Sequence, residues 1–592
     1  MNKLSIFALA GTSLAVALAY QQAAQSGPPG AARPQNADAA AGGPPGGFMA
    51  FGRGGGGWLM SRGDAQRSGW VRSDSFLSIE TMEKPGFGLE WKRKLENVPR
   101  QGNSLSAGVS GSGATLNPPP IVISGSANNV FGIEVDTGGL VWSRHFNAAI
   151  PAASTPACPG GLTAPPARTT TLAQTATGAT PGRGAGRGPY LSGVGQPGEG
   201  VPMDLMQGGM GGPGSPARGG APGAAFGGGP PFGPGPGVAG APGGPGAPGA
   251  PAAARGGPGG PGGPGGMMIG GRGPQTFYAL ASDGVIHTIG LHEGKEIKKP
   301  VSFVPANANV ADLAAIDDVV YATTVNGCGA VANGIWSIDT ASDDHKVHSW
   351  KSGVSPIGEP ALDSKGALYV SLGESPAGAE THANSIVALD GKTLEVKDWF
   401  TIPGASFATG PSIFTYGDRE LAAAASQDGR IFLLDPASLG GADHKTAITV
   451  SAATNTSKTW SPSALATWED PDKSRFLLIP AVHTKGSIVA FKLTGDAAKP
   501  SLEQVWTTGD LGTPSAPIVV NGVVFALKTG SSSSPAALYA FNGKDGKELW
   551  NSGKSITSSV RSAGIWSSNA QVYVATHDGT VYAFGFAMDR HL

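Results

Sequence analysis

The sequence predicts an all-β protein, an eight-bladed β-propeller of four-stranded antiparallel blades. Three features indicate it: a repeated unit of two short strands with alternating apolar and polar residues, Asp-Gly or related pairs between these strands, and recurrence of the unit after about 43 to 59 residues. This spacing is the period of a propeller blade. Asp-Gly between alternating runs is the strongest short hairpin signal. Helical periodicity is absent after the amino-terminal apolar run.

The amino terminus is typical of a secretory signal peptide, which we assign to residues 1–19. Lys3 precedes an apolar run from Leu4 to Ala19, and the small residues Ala17 and Ala19 precede Tyr20. A retained membrane anchor is the alternative, but a run of about sixteen apolar residues is short for a membrane span. We therefore expect a periplasmic or secreted protein with no membrane span after cleavage.

Two regions contain too few core-forming residues to fold. Residues 20–57 are rich in Gly, Pro and Ala, and residues from about 165 to 272 include the run GAPGGPGAPGAP. Such segments bury too little apolar area to offset their chain entropy, so we expect both to be disordered. The propeller then spans residues 58–592, with the second segment as a loop that interrupts it.

The last repeat lacks an outer strand. Five earlier units end in an outer strand that carries a tryptophan: Trp142, Trp350, Trp399, Trp506 and Trp550. The eighth unit ends at THDGTVYAFGFAMDRHL without such a strand, whereas the isolated segment Gly86–Val98, which contains Trp91, has the required pattern. We predict that this segment pairs into the last blade, because closing the ring removes two exposed sheet edges.

Cys158 and Cys328 are the only two cysteines. In an exported protein such a pair favours a disulfide bond, with two free thiols as the alternative. Two isolated cysteines without a nearby histidine cluster make a poor zinc site. The sequence also lacks Cys-x-x-Cys-His, so covalently attached haem is excluded.

The charge of the chain excludes two classes of partner. The formal net charge is −1, and 14% of the residues are charged. Such a balance gives no electrostatic reason to expect nucleic acid or an acidic membrane. We expect a monomer whose partner is a protein or a small ligand at the mouth of the propeller channel.

Two segments resemble the pyrroloquinoline-quinone-type eight-bladed propellers. AFNGKDGKELW fits the blade-docking motif of that family at Ala540, Gly546 and Trp550, with Asn542 in the usual Asp position. WLMSRGDAQRSGW resembles the segment that leads into the first outer strand of quinoprotein dehydrogenases. The resemblance implies that the outer-strand tryptophans, Trp91 included, are structural residues that dock neighbouring blades.

The resemblance also implies where a site would lie and what it would need. Pyrroloquinoline quinone requires cations for its carboxylates, an aromatic floor, usually a calcium ion, and a carboxylate base. Candidates come from the segments that lead into the innermost strands: Arg100, Asp312, Glu359, Trp460, Arg561 and Trp566. The simpler alternative is that the tryptophans pack between blades and that the charged residues pair with one another or face water.

Two functions follow from these observations. The first is an exported binding or scaffold propeller without catalytic activity, which binds a protein, a polymer or a small ligand that the fold alone does not identify. The alternative is a pyrroloquinoline-quinone-dependent alcohol or sugar dehydrogenase that uses calcium and passes electrons to a separate carrier. The alcohol dehydrogenases of the resembling family have a disulfide between adjacent cysteines, and no Cys-Cys pair occurs here. We therefore favour the binding function.

Overall fold

The computed structural model describes residues 57–172 and 275–587, apart from 73, 75, 111–119, 376–381, 403, 452–463, 482–485 and 561–563. The predicted signal peptide, residues 20–56 and residues 173–272 of the predicted insertion lie outside this part. In the described ranges, no helix is both long enough and apolar enough to cross a membrane.

Eight antiparallel sheets form the blades, which confirms the predicted propeller fold. Blades 3 to 8 each have four antiparallel strands from the channel to the rim. In blades 1 and 2 the innermost position is held by isolated bridges, Leu105 to Gly125 and Val109 to Val122 in blade 1 and Ala167 to Tyr278 in blade 2. Two short parallel strands add to the inner edges of blades 7 and 3.

The strands follow in chain order, and helix is limited to α1 (Ile79–Met82) and two short 3-10 turns within the described residues. The amino-terminal segment and blades 1 and 2 contain β1 (Trp70–Val71), β2 (Phe87–Lys94), β3 (Ile121–Gly125), β4 (Asn129–Ile133), β5 (Leu140–His145), β6 (Thr169–Thr170), β7 (Thr276–Leu280), β8 (Val285–Gly290) and β9 (Val301–Ser302). Blades 3 and 4 contain β10 (Asn309–Ile316), β11 (Val319–Val325), β12 (Gly334–Asp339), β13 (Val347–Lys351), β14 (Pro356–Leu362), β15 (Ala367–Leu372), β16 (Ser385–Asp390) and β17 (Val396–Thr401).

The remaining four blades repeat the same order. Blades 5 and 6 contain β18 (Ser412–Tyr416), β19 (Arg419–Ala425), β20 (Ile431–Leu434), β21 (Thr449–Ser451), β22 (Ala466–Glu469), β23 (Arg475–Ala481), β24 (Ser487–Thr494) and β25 (Ser501–Thr507). Blades 7 and 8 contain β26 (Ile518–Val520), β27 (Val523–Lys528), β28 (Ala537–Asn542), β29 (Glu548–Asn551), β30 (Ile565–Ser568), β31 (Gln571–Ala575) and β32 (Thr580–Phe586).

The ring closes through pairing of the two ends of the fold, as predicted. Strand β2 pairs antiparallel with β32, from Phe87 opposite Phe586 to Lys94 opposite Thr580. The pairing gives blade 8 its fourth and outermost strand. The closing strand therefore comes from the other end of the chain, and the last repeat is complete.

Tryptophans on outer strands contact the next blade. The indole N–H groups of Trp91, Trp142 and Trp506 donate to the carbonyls of Val135, Leu291 and Gly543, at 2.7, 2.8 and 2.8 Å. Trp399 stacks on His444, with 3.7 Å between ring centroids. Trp350 packs against the core cluster shared by blades 3 and 4, and Trp550 meets Phe87 edge to face at 4.8 Å.

The central channel contains residues Trp58–Val71, which we call the plug. The carbonyls of Trp58, Leu59, Ala65, Gln66, Ser68 and Gly69 accept hydrogen bonds from the backbone N–H groups of Ser110, Arg168, Leu362, Ile413, Thr467 and Val519. These donors belong to the innermost positions of blades 1, 2, 4, 5, 6 and 7. The plug is therefore bonded around most of the ring, and only Asp64 and Trp70 in it are partly exposed.

The beginning of the predicted insertion also belongs to the fold. Ala167 bridges to Tyr278 in blade 2, and β6 pairs in parallel with β10 of blade 3. Arg168 is half-buried between them, and its backbone N–H donates to the carbonyl of Leu59 in the plug. Residues 167–170 thus pair with inner strands, although the sequence-based prediction placed them in the insertion because a run of Pro, Ala and Thr has no strand pattern.

We predict that the closing strand is essential for stability at Trp91 but not at its exposed neighbour. Trp91→Ala removes a buried side chain and its hydrogen bond to blade 1, so it should cost about 3–5 kcal/mol of unfolding free energy. Leu89→Ala, on the same strand with 41% of the side chain exposed, should cost under about 0.5 kcal/mol. Urea denaturation measures both, and similar losses for the two variants would contradict the closure.

Candidate functional site

A cavity of about 290 Å³ opens on the face where the chain enters the innermost strands, which we call the mouth face. Most of its described lining comes from the first strands or preceding segments of blades 1, 2, 3, 4 and 8, and Ala575, Thr576 and His577 add the end of β31 and the turn after it. Ser61 of the plug also lies on this lining. Because the plug fills the channel below it, the cavity is a blind cup, and we call it the mouth cup.

One wall of the mouth cup is the segment 151–163, which the structure fixes from several sides. Arg100 donates through Nε to the Pro159 carbonyl at 2.6 Å and through Nη2 to the Pro151 carbonyl. Asn309 and Asn326 both donate to the Ala157 carbonyl, at 2.9 and 3.0 Å. A wall without strands of its own is thereby held by polar contacts to blades 1 and 3.

A disulfide bond fixes the same wall. Cys158 and Cys328 are joined, with 5.5 Å between their Cα atoms, so the predicted bond is confirmed. It links the segment before β6 to the turn between β11 and β12 across 170 residues of sequence. A bond of this kind fits an oxidising compartment, and it holds the wall of the mouth cup on blade 3.

A buried ion pair, Arg67 with Asp312, lies behind the lining residues Ser61 and Ala311 of the mouth cup. Arg67 of the plug donates through Nη2 to the Asp312 carboxylate, through Nε to the Pro360 carbonyl at 2.7 Å and through Nη1 to the Ser61 carbonyl at 2.6 Å. Both charged side chains are only 2% exposed. Burial raises the pKa of Asp312 to about 6, and Glu359 raises it further while Arg67 opposes the shift.

Arg62 crosses from the plug to the opposite side of the ring. Its guanidinium donates to the carbonyls of Leu465, Ala516 and Pro517, the last at 2.6 Å. Burial lowers its pKa to about 10, so the group stays protonated at neutral pH. Gly69 allows this path, because a Cβ there would lie 2.4 Å from Nη2 of Arg62, and Gly69 also has a positive φ of 65°.

Glu359 is the candidate acid that lines the mouth cup. It lies in β14 at an irregular register between Ile357 and Ala361, directly after Gly358 with φ 65°. Its Oε2 atom is buried and accepts no hydrogen bond from the part of the chain that the structure describes. Among the described lining residues, Glu359 has the only permanently charged side chain.

The other sequence-predicted residues do not meet Glu359 in the cup. Trp566 is fully buried and stacks on Tyr573 at 5.3 Å between centroids, against Gly108 of blade 1. Arg100 donates to carbonyls of the wall segment 151–163 and is not among the described residues that line the cup. Trp460 and Arg561 lie outside the described residues. The structure therefore brings together Asp312 and Glu359, whose charges interact.

Sequence reasoning missed the plug residues that complete this centre, namely Ser61, Arg62 and Arg67. A usable signal was present in WLMSRGDAQRSGW, where two arginines and two glycines lie among apolar residues ahead of the first outer strand. Arginine side chains in such a context are buried only if backbone carbonyls or carboxylates accept their hydrogen bonds. The innermost strands of a propeller supply such carbonyls.

Two larger cavities open elsewhere, and each contains ion pairs. One of about 720 Å³ lies between blades 5 and 6, where Glu469 accepts from both Lys473 and Arg475, at 3.0 and 2.9 Å. One of about 660 Å³ lies between blades 4 and 5 and contains the pair Arg419–Asp435. Neither cavity has an unpartnered buried carboxylate among its described residues.

The described residues of the mouth cup do not fit pyrroloquinoline quinone. The lining includes no Arg, Lys or Trp in the described ranges, so nothing there would pair with a tricarboxylate or stack on its ring. Asp312 already pairs with Arg67. No group of three His, Cys, Asp or Glu side chains in the described chain has the geometry to hold a metal ion.

Comparisons with known proteins give similar folds. No protein-family model matches the chain, and no curated protein matches it. A europium-containing methanol dehydrogenase is 9% identical with a TM-score of 0.49, covering 90% of this chain and 98% of that one. Quinohemoprotein alcohol dehydrogenase ADHIIG from Pseudomonas putida HK5 is 10% identical with a TM-score of 0.47, covering 90% and 80%. BamB from Moraxella catarrhalis is 11% identical with a TM-score of 0.44, covering 84% and 100%.

We predict that Asp312 makes stability depend on pH in an unusual direction. Its pKa of about 6 lies above its ordinary value of 3.8, so between these values the native state holds a proton that the unfolded state has lost. Stability from this group therefore rises as the pH falls from 7 to 5. Urea denaturation at pH 7 and at pH 5 should show that the unfolding free energy of wild type, relative to that of Asp312→Asn, is larger at pH 5. A smaller relative unfolding free energy at pH 5 would contradict this prediction and would mean that Arg67 lowers the pKa of Asp312 below its ordinary value.

Proposed function

We propose that the protein is an exported, monomeric β-propeller that binds a small ligand in the mouth cup and acts as a binding or scaffold module. The observation that carries the proposal is the plug. It fills the channel, engages Asp312 through Arg67 and leaves a blind cup with one uncommitted carboxylate, Glu359. A concave, polar and enclosed site of this kind is suited to holding a small molecule.

A rigid wall supports binding without chemistry. The disulfide Cys158–Cys328 and the guanidinium of Arg100 hold the segment 151–163 in place. A site whose walls are fixed before the ligand arrives loses less conformational entropy on binding. The disulfide also supports export, because such bonds persist in the periplasm or outside the cell.

The competing hypothesis is a pyrroloquinoline-quinone-dependent dehydrogenase. Such an enzyme needs a base within hydrogen-bonding reach of the substrate hydroxyl. Asp312 is engaged by Arg67 beneath the cup, so Glu359 is the described carboxylate left for that role. The described lining offers no partner for the carboxylates of the quinone, and we derive no reaction step through it.

We predict that the purified protein does not reduce an artificial electron acceptor when it receives pyrroloquinoline quinone, calcium or a lanthanide, and a panel of alcohols and aldoses. The expected rate equals that of the protein-free mixture, because the described site lacks groups to hold the quinone. A quinoprotein dehydrogenase reconstituted in the same buffer serves as the positive control. Substrate-dependent reduction that disappears in Glu359→Ala or Arg561→Ala would replace this proposal with the dehydrogenase.

A further inference from the structure

We infer that the ligand of the mouth cup is a small hydroxylated amine, such as an amino sugar or an amino alcohol, whose ammonium group pairs with Glu359. The inference deepens the proposed binding function and rests on it. It follows from three features of the cup: an uncommitted carboxylate, the absence of a described cation to neutralise it directly, and a lining that presents hydrogen-bond acceptors.

The Glu359 carboxylate is placed by an irregular strand. The register shift between Ile357 and Ala361 interrupts the ladder of β14 with β15, and Gly358 in the left-handed region turns the chain just before Glu359. Irregularities of this kind re-aim a side chain out of the regular sheet. The turn leaves Oε2 buried without a described hydrogen-bond donor. A buried carboxylate oxygen in this state is costly until a donor arrives.

The nearby cations are already engaged. Arg67 donates to Asp312, Pro360 and Ser61, and Arg62 donates to carbonyls of blades 6 and 7. Arg62 still attracts Glu359 through space, because Glu359 raises the pKa of Arg62 against the effect of burial. That attraction acts without a hydrogen bond, so the hydrogen-bonding positions of Oε2 are open to a ligand.

Most polar side chains that line the mouth cup donate their protons to the protein itself. Asn103 donates to the carbonyls of Leu162 and Gly160, at 2.7 and 3.3 Å. Ser104 and Thr163 donate to the carbonyls of His577 and Val310, at 2.7 and 2.9 Å, and Thr163 Oγ1 also accepts from Val310 N–H at 2.8 Å. Asn309 donates one of its two amide protons to Ala157 at 2.9 Å. The groups left open are mainly amide and hydroxyl oxygens, so the lining suits a ligand with several N–H and O–H donors.

A monovalent ammonium suits this cup better than a divalent metal ion. Calcium usually takes six to eight oxygen ligands with several carboxylates among them, whereas the described lining has one carboxylate. An ammonium needs one carboxylate and two further acceptors for its three N–H groups. The volume of about 290 Å³ lies at the lower end for ligand cavities, which limits the ligand to a small molecule.

The test is isothermal titration calorimetry at neutral pH with three sugars of matched shape: glucosamine, glucose and glucuronate. We expect glucosamine to bind wild type at least about ten-fold more tightly than glucose, and glucuronate not to bind. Glu359→Gln, which keeps the shape and removes the charge, should weaken glucosamine binding at least about ten-fold. Glu293→Gln, which changes an exposed glutamate paired with Lys295 at the surface, should bind as wild type does.

Each outcome decides the inference separately from the proposed function. Glucose or glucuronate binding as tightly as glucosamine, or glucosamine binding unchanged in Glu359→Gln, would overturn the amine while leaving a ligand site at the cup. Calcium binding that depends on Glu359 would replace the amine with a metal ion. No binding of any probe also overturns the inference. Thermal midpoints of both variants verify that they are folded, and dye reduction alone would overturn the binding function.

Discussion

The centre of this propeller depends on two arginine side chains that leave the plug in opposite directions. Arg62 reaches carbonyls of blades 6 and 7, and Arg67 reaches Asp312 and Pro360 in blades 3 and 4. A guanidinium has five donors and no acceptor, so its burial requires carbonyls and carboxylates at fixed places. The innermost strands supply these acceptors at fixed places. The plug, held by these bonds, closes the bottom of the mouth cup through Ser61.

The remaining parts of the cup follow from that floor. Because Arg67 engages Asp312, only Glu359 among the described acids faces the cavity without a partner. The wall segment 151–163 is held by a disulfide bond and by Arg100, rather than by strands. The fold thus separates a structural ion pair beneath the cup from a carboxylate within it, although both acids come from equivalent inner strands of adjacent blades.

The sequence was sufficient for the architecture because the features that specify it are local. Asp-Gly turns, alternating strands and the blade period are visible in short windows of sequence. The closing strand was predicted because the last repeat, which ends near Phe586, is not followed by an outer strand with a tryptophan. The disulfide followed from the count of cysteines. The inner-strand pairing of residues 167–170 was not predicted, because a two-residue strand such as Thr169–Thr170 has no periodic pattern.

The site was less predictable because the role of each charged side chain depends on contacts with residues that are distant in the sequence. Asp312 and Glu359 were candidates because of their position in the sequence, and both lie in inner strands. The partner of Asp312 is Arg67, 245 residues away. Arg100 was selected as a ligand for a carboxylate, yet its donors go to the carbonyls of Pro151 and Pro159. Only the contacts in the folded protein distinguish a charged side chain that has a partner from one that is open to a ligand.

Amide hydrogen exchange followed by mass spectrometry tests most directly whether the plug closes the channel. The N–H groups of Leu59, Gly63, Arg67 and Gly69 donate to carbonyls within the plug, and the plug is nearly all buried. Peptides from residues 58–71 should therefore exchange as slowly as those from the core strands β26 and β31. Exchange within seconds, as in an unstructured peptide, would contradict the account. The cup would then have no fixed floor, and Asp312 would lose the partner that distinguishes it from Glu359.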